Sequence, residues 1–161
     1  CRARPAFRGP HAPRHDESIL AEVPALDVAE IVLVAQDLAS YGRDVGRKGA
    51  IVPLVEAVAA RVARTRLLYL YPSELTDRLV DTILATGVPY FDLSLQHVSP
   101  PLMRRLKRWG NGHQFLARTQ AIRPREPAAP VRSNFLVANP GDTATHPTPP
   151  LPLAAAAPLP A

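Results

Sequence analysis

The chain has 161 residues, 47% of them apolar and 20% charged, with a formal charge of +5, nineteen prolines and one cysteine. This is about one domain of material, enough to bury roughly two-thirds of the surface its unfolded chain exposes. A disulfide scaffold is excluded, since one cysteine has no partner within its own chain, and no run approaches the roughly 18 uncharged apolar residues of a membrane helix.

No basic start leads into an apolar stretch like a secretory signal, so a soluble, cytoplasmic protein without membrane contact is the expectation. The one methionine is Met103, so the sequence does not open at its own start codon and reads as a processed product, a cloned piece or a fragment. An N-terminal cysteine also marks lipoproteins, but Arg2, Arg4 and Arg8 follow at once where a Ser/Gly/Asn tether is expected. The positive charge points to anionic partners, yet most of it is arginine scattered along the chain. The densest cluster is Arg104, Arg105, Lys107 and Arg108. On a helix Arg104 and Arg108 share one face and Leu102, Leu106 and Trp109 another. No aromatic residues interleave with these charges, so a solvated helix face is the simpler reading than a nucleic-acid surface.

In chain order, Ile19, Leu20, Val23 and Leu26 fall on one helical face, which Pro24 kinks or shortens. Ile31-Val32-Leu33-Val34-Ala35 is a continuous β-branched run, as expected for a strand buried on both faces. Leu54, Val55, Val58 and Val62 form the next helical stripe. Leu67-Leu68-Tyr69-Leu70-Tyr71 is a second strand run, ended by Pro72. Ser73 is placed to cap a helix with Leu75, Leu79 and Ile83 inside and Gly87 at its end. Tyr90-Phe91-Asp92-Leu93-Ser94-Leu95 is the third run. Helical patterns follow at Leu102, Leu106 and Trp109 and, after Asn111, at Phe115, Leu116, Thr119 and Ile122. Ser133-Asn134-Phe135-Leu136-Val137 is the fourth strand run.

Four strands separated by helices predict an α/β fold of parallel β/α units, because a parallel crossover needs a dozen or more connecting residues. An open doubly wound sheet and a section of a β/α barrel both fit. In either, working residues gather at the carboxyl ends of strands. Those ends are Gln36-Asp37, Tyr71-Pro72-Ser73-Glu74, Gln96-His97 and Asn139-Pro140-Gly141. Gly42-Arg43-Asp44-Val45-Gly46 and Gly110-Asn111-Gly112 lack the spacing of a dinucleotide fingerprint or phosphate loop. His11 and His15 are four apart, but Pro13 argues against the helix that would align them on a metal. His97 follows a strand directly and serves equally as a general base, a substrate contact or a satisfied rim histidine.

These strand-end residues carry a resemblance. Ile31-Val32-Leu33-Val34-Ala35-Gln36-Asp37 with Tyr41-Gly42, Leu68-Tyr69-Leu70-Tyr71-Pro72, and Asp92-Leu93-Ser94-Leu95-Gln96-His97 resemble the radical S-adenosylmethionine methylthiotransferases. So do the run from Leu102 to Gly110 and that from Arg132 to Gly141. Coverage is about residues 5–142. One branch of that family modifies an adenosine in transfer RNA, with Gln-Asn after the second strand and Gln-Ser-Gly-Ser after the fourth. Gln36-Asp37 and Gln96-His97-Val98-Ser99 here resemble the other branch, which methylthiolates an aspartate of the twelfth small-subunit ribosomal protein.

The resemblance implies a partial radical-SAM β/α barrel truncated at both ends, a 4Fe-4S cluster on three cysteines, S-adenosylmethionine chelated by the cluster, and an electron donor such as flavodoxin. By family placement Gln36 and Asp37 hold the methionine end of the cofactor, Gln96 and His97 lie near the ribose or substrate, and Leu136, Val137, Ala138 and Asn139 lie beside the adenine. Pro5, Phe7, Arg8 and Gly9 match the end of the family's cysteine loop, but Cys1 precedes Pro5 by one residue too many. Cys1 is a remnant of the third cluster ligand or an accident of where the sequence starts. Two ligands are missing in either case, so the chain alone is expected to be inactive. Ala138 stands for a usual glycine, and Asp142 for a usual glutamate.

Beyond Asp142 the resemblance stops. His146 to Ala161 is rich in proline and alanine and holds no Asp, Glu, Lys or Arg. Such a composition cannot offset its ordering entropy, and residues 143–161 are expected to be a disordered tail, separate from a core domain over residues 1–142. A shift of reading frame would account for so abrupt a change. A noncatalytic ribosome-binding module, docking through the basic helix around Arg104, is the alternative function.

Overall fold

The computed structural model describes residues 14–35, 37–97, 99–106 and 112–136. Cys1, Gln36, Val137, Ala138, Asn139 and the proline- and alanine-rich tail lie outside the described residues. The elements, in chain order, are α1 (Asp16–Glu22), β1 (Glu30–Leu33), α2 (Ile51–Ala59), β2 (Arg64–Leu67), α3 (Asp77–Leu84), β3 (Phe91–Gln96), α4 (Pro100–Arg105), α5 (Gly112–Ile122) and β4 (Val131–Phe135).

Local chemistry sets several of these boundaries. Asp16 and Glu17 occupy the first turn of α1, where carboxylates favour the positive end of the helix. Pro24 brings no N–H to continue the ladder, so the chain tightens into a 3-10 turn over Val23–Leu26 and stops at Asp27 with φ 46°. Thr76 caps α3, its hydroxyl accepting from the Leu79 amide at 3.2 Å. Ser73, expected to be that cap, instead sits in a 3-10 turn over Pro72–Glu74, because Pro72 starts a separate turn that ends before Thr76. After α3 the chain reverses at Gly87 with φ 76°, where an added Cβ would stand 2.8 Å from the Ala63 carbonyl oxygen. Only glycine fits there.

All strand pairs are parallel. β1 and β2 pair with Ile31 opposite Thr65 and Leu33 opposite Leu67. β3 and β4 pair with Phe91 opposite Val131 and Leu93 opposite Ser133, then slip by one residue before Gln96 meets Phe135. A single parallel bridge between Leu70 and Leu93 joins the two pairs. Spatial order therefore follows chain order with no reversal, as in the wall of a β/α barrel, whereas a doubly wound sheet reverses at its switch point. The described strands do not close, since β1 and β4 each have one strand neighbour. The fold is α/β, with short parallel strands alternating with helices in a partial arrangement.

Two sequence expectations about the strands need correction. The second ladder begins at Arg64, ahead of the apolar run at Leu67. Its charged residues hide it: Arg64 and Arg66 both pair across the ladder with Glu30, at 3.3 and 2.8 Å. The first run is not buried on both faces. Ile31 joins the core, but Val32 is 43% and Val34 60% exposed. The Glu30–Arg64–Arg66 cluster lies on the face that Val32 shares by alternation, a face left open among the described residues. In β3, by contrast, Phe91, Asp92, Leu93 and Leu95 are all buried.

The main core joins Ile51 and Val55 of α2, Leu79 and Ile83 of α3, Phe91, Leu93 and Leu95 of β3, and Phe115 and Ile122 of α5. A smaller cluster of Val23, Ile31, Leu54 and Val58, with Ile19 and Leu20 packed against it, seats α1 on α2 and β1. At about 25 cal/mol per Å², this burial is the main force holding helices to strands. Among the described residues no helix is long and apolar enough to cross a membrane.

Candidate functional site

The carboxyl ends of the parallel strands are where the chain leaves the ladder and polar groups accumulate. At the end of β1, Asp37 is exposed and accepts from the Ser40 hydroxyl at 2.8 Å. The turn after it is anchored by buried Leu38 and Ala39, then Gly42 adopts φ 79°. A Cβ at Gly42 would lie 2.7 Å from Ala50 Cβ and 2.9 Å from the Arg47 carbonyl oxygen. This packs the loop tightly against the start of α2.

That loop is braced from two sides. Arg47 donates to Asp16 Oδ2, and the Tyr41 hydroxyl lies 2.6 Å from Asp16 Oδ1 and 2.5 Å from the Arg14 carbonyl oxygen. The Arg47 hydrogen bond, with that of Tyr41, holds the Asp16 carboxyl below its ordinary value. Burial, reinforced by the Asp16 carboxylate, pushes the Tyr41 hydroxyl up to about 12. On the other side, Arg43 pairs with Glu74 of the turn after β2 at 2.9 Å. The strand ends of β1 and β2 are thus joined by an ion pair 31 residues apart in sequence.

Beyond β2 the chain changes its side-chain alternation. Leu67 and Leu70 are both wholly buried in the main core, although an odd separation should send them to opposite faces. Tyr69, between them, has φ 59° and is 40% exposed. Its amide donates to Asp92 Oδ2 at 3.2 Å. Asp92 is 1% exposed and also faces Arg132 Nη1 of β4 at 3.9 Å.

At the end of β3, Gln96 is half-buried with φ 73°, and its carbonyl accepts from the Leu136 amide at 2.7 Å. His97 is 4% exposed, and its Nδ1 accepts from the Ser99 amide at 2.9 Å. A neutral His97 in this arrangement carries its proton on Nε2. Ser99 Oγ is buried with no hydrogen-bond partner among the described residues. Leu136, just past β4, is 43% exposed.

Of the strand-end residues singled out from sequence, the structure brings Gln96 and Leu136 together by a backbone hydrogen bond and buries His97 beside them. Asp37 stands on the β1 end and engages Ser40 within its own turn. Gln36, Val137, Ala138 and Asn139 lie outside the described residues, as does Cys1. Arg104 and Arg105 are exposed in the last turn of α4, while Lys107 and Arg108 are outside the described residues. Among the described residues no group of three His, Cys, Asp or Glu side chains could hold a metal ion. Sequence reasoning missed Tyr69, Asp92 and the Arg43–Glu74 brace. For Asp92 the signal was present, a carboxylate amid an apolar strand run. For Tyr69 there was none, since its backbone conformation has no mark in its residue type.

No family model matches the chain. It is 43% identical over 148 residues to the ribosomal protein uS12 methylthiotransferase RimO of Kineococcus radiotolerans, 44% to that of Salinispora tropica and 39% to that of Frankia casuarinae. Each match covers 88% of this chain and, in the same order, 30%, 29% and 28% of the relative, so the chain spans less than a third of their length. At these identities the chain is similar, over 88% of its own length, to one segment of the ribosomal protein uS12 methylthiotransferases.

Proposed function

We propose that this chain forms part of an enzyme that attaches a methylthio group to the β-carbon of an aspartate in uS12, the twelfth small-subunit ribosomal protein. The observation that carries the reading is its identity of 39–44% over 88% of its length to relatives bearing that name. The macromolecular substrate is uS12 or the assembled small subunit, the compartment is the cytoplasm, and a flavodoxin-like protein donates electrons. Residues 1–142 belong to the catalytic domain, with residues 143–161 a tail apart from it.

The cofactors of this reading are S-adenosylmethionine and a 4Fe-4S cluster, which together supply a hydrogen-abstracting radical and the methyl group. For the cluster the donor set does not fit: the chain holds one cysteine, Cys1, where three thiolates are needed. No step through the cluster is assigned to it. For S-adenosylmethionine the strand ends offer suitable groups. Asp37 supplies a carboxylate for an amino group, with Gln36 beside it in sequence. Gln96 and His97 supply an amide and an imidazole for ribose hydroxyls or substrate, and the family resemblance assigns Leu136, Val137, Ala138 and Asn139 to the adenine. The orphaned Ser99 Oγ supports a polar occupant near His97, because a buried hydroxyl without a partner costs about 1–3 kcal/mol. The role of these residues is to bind and orient.

The test is a chimera. Residues 14–136 replace the matching segment of the Kineococcus relative, which keeps its own flanking sequence, and uS12 and transfer RNA nucleosides from the same cells are weighed by mass spectrometry. A methylthio group on the uS12 aspartate is the expected result. Modified transfer RNA adenosine with unmodified uS12 assigns the chain to the other branch.

A further inference from the structure

The β2 end contains a device that no strand needs for pairing. Tyr69 is a non-glycine residue in the left-handed region, at φ 59°, a conformation that costs about 1 kcal/mol or more and persists only where surroundings impose it. It lies where the chain passes from the β1–β2 pair to the bridge with β3. What holds it is visible. On either side of the bridge, the Leu70 amide donates to the Asp92 carbonyl at 2.9 Å and the Ser94 amide to the Leu70 carbonyl at 3.0 Å. The Tyr69 amide, which these backbone bonds leave over, donates to the Asp92 side chain. The result is a shift of alternation that buries Leu70 beside Leu67 and turns Tyr69 away from the core, as a bulge re-aims a side chain.

We propose that Asp92 is a positioning residue for the strand-end site, and that Tyr69, held by it, is an aromatic contact for the nucleoside sulfonium bound there. The ligand class rests on the reading given under Proposed function; the Asp92–Tyr69 device does not. A carboxylate 1% exposed to solvent is expensive to bury, and among the described residues its partners are one amide and one arginine at 3.9 Å. Those partners lie just past the end of β2 and on β4, so one side chain of β3 ties together the chain on both sides of it. Tyr69, 40% exposed where the chain leaves β2 and next to the Leu70–Leu93 bridge, carries an aromatic ring whose flat face suits a sulfonium or a purine.

Four variants of the full 161-residue chain separate the two roles of Tyr69, with S-adenosylmethionine as the probe in calorimetry and melting and amide exchange as structural readouts. Tyr69→Leu keeps the backbone and loses the ring, and should weaken binding about three- to ten-fold with an unchanged melting temperature. Asp92→Ala should lower the melting temperature and speed exchange at the Tyr69 amide, and Asp92→Asn, which retains an acceptor, should restore both. Adding Tyr69→Gly to Asp92→Ala should restore the melting temperature, because glycine takes the left-handed region unaided, yet leave binding weak for want of the ring. Equal binding by Tyr69→Leu and wild type overturns the contact, and a double variant no more stable than Asp92→Ala overturns the positioning role. A wild-type chain that does not bind S-adenosylmethionine overturns the ligand reading, while the exchange and melting arms still decide the Asp92–Tyr69 device.

Discussion

Tyr41 and Asp16 meet across 25 residues of sequence, the phenol oxygen 2.6 Å from the carboxylate, and Arg47 closes on the same carboxylate from the other side. The contact fastens α1 to the loop that follows β1. Two titrations follow from it. Arg47 and Tyr41 depress the Asp16 carboxyl, so its contribution to stability is present above the ordinary carboxylate range and lost as pH falls through the depressed value. Burial and the Asp16 charge raise Tyr41 to about 12, so its contribution is complete below about 10 and lost as pH rises through about 12. Tyrosinate absorbance should show one of the four tyrosines ionising late. Tyr41→Phe should abolish that phase and cost about 1 kcal/mol. Four tyrosines titrating together would refute the clamp.

Thr76, and not Ser73, should matter for the helix that follows. Thr76→Ala removes the hydroxyl that accepts from Leu79 and should cost about 1 kcal/mol in chemical denaturation. Ser73→Ala lies in a turn without a capping role and should fall within about 0.5 kcal/mol of wild type. The reverse ranking would show that α3 starts where the sequence placed it.

That case shows what the sequence exposes and what it hides. Serine and threonine cap equally well on paper, and what separates Ser73 from Thr76 is Pro72, which starts a turn of its own. The first and third strand runs were legible because their apolar residues are contiguous, the second and fourth only in part, since β2 meets its run at Leu67 alone and β4 starts two residues before its run; the helices were legible because Leu79, Ile83, Phe115 and Ile122 recur at helical spacing. The start of β2 was not legible, since Arg64 and Arg66 owe their place in the ladder to Glu30, 34 and 36 residues earlier. The strand-end polar residues could be named from position alone. The Asp92–Tyr69 contact could not, because it depends on a backbone conformation that tyrosine rarely adopts.

The one-sided burial of β1 yields a contrast within two residues. Ile31 belongs to the core, while Val32 faces the open side at 43% exposure. Ile31→Ala should cost about 2–5 kcal/mol, and Val32→Ala well under 1 kcal/mol beyond the change in strand propensity. Similar losses at both positions, measured by urea denaturation, would mean that the second face is covered in solution.

Glycines in the loop after β1 should differ by their surroundings. Gly42 and Gly46 share a positive φ, 79° and 75°, so alanine is strained at either by about 1 kcal/mol. Only at Gly42 does the new methyl meet atoms, Ala50 Cβ at 2.7 Å and the Arg47 carbonyl oxygen at 2.9 Å; at Gly46 nothing lies within 4 Å. Gly42→Ala should therefore melt well below Gly46→Ala. Equal melting temperatures would show that the loop can move away from α2.

The 161-residue chain by itself should lack methylthiotransferase activity. Holding a 4Fe-4S cube for cofactor cleavage takes three thiolates around one cluster, and this chain contributes a single cysteine, Cys1. Polar groups at the strand ends cannot replace the electron that a cluster delivers, so Asp37, Gln96 and His97 by themselves supply no route to cofactor cleavage. The measurement is anaerobic reconstitution with iron and sulfide, followed by iron analysis and a dithionite assay for 5′-deoxyadenosine. Iron at background and product no higher than a protein-free control is the expected outcome. A cluster's worth of iron per chain, with product above that control, would mean that cysteines from several copies assemble one site. A Cys1→Ser chain would then lose both signals together.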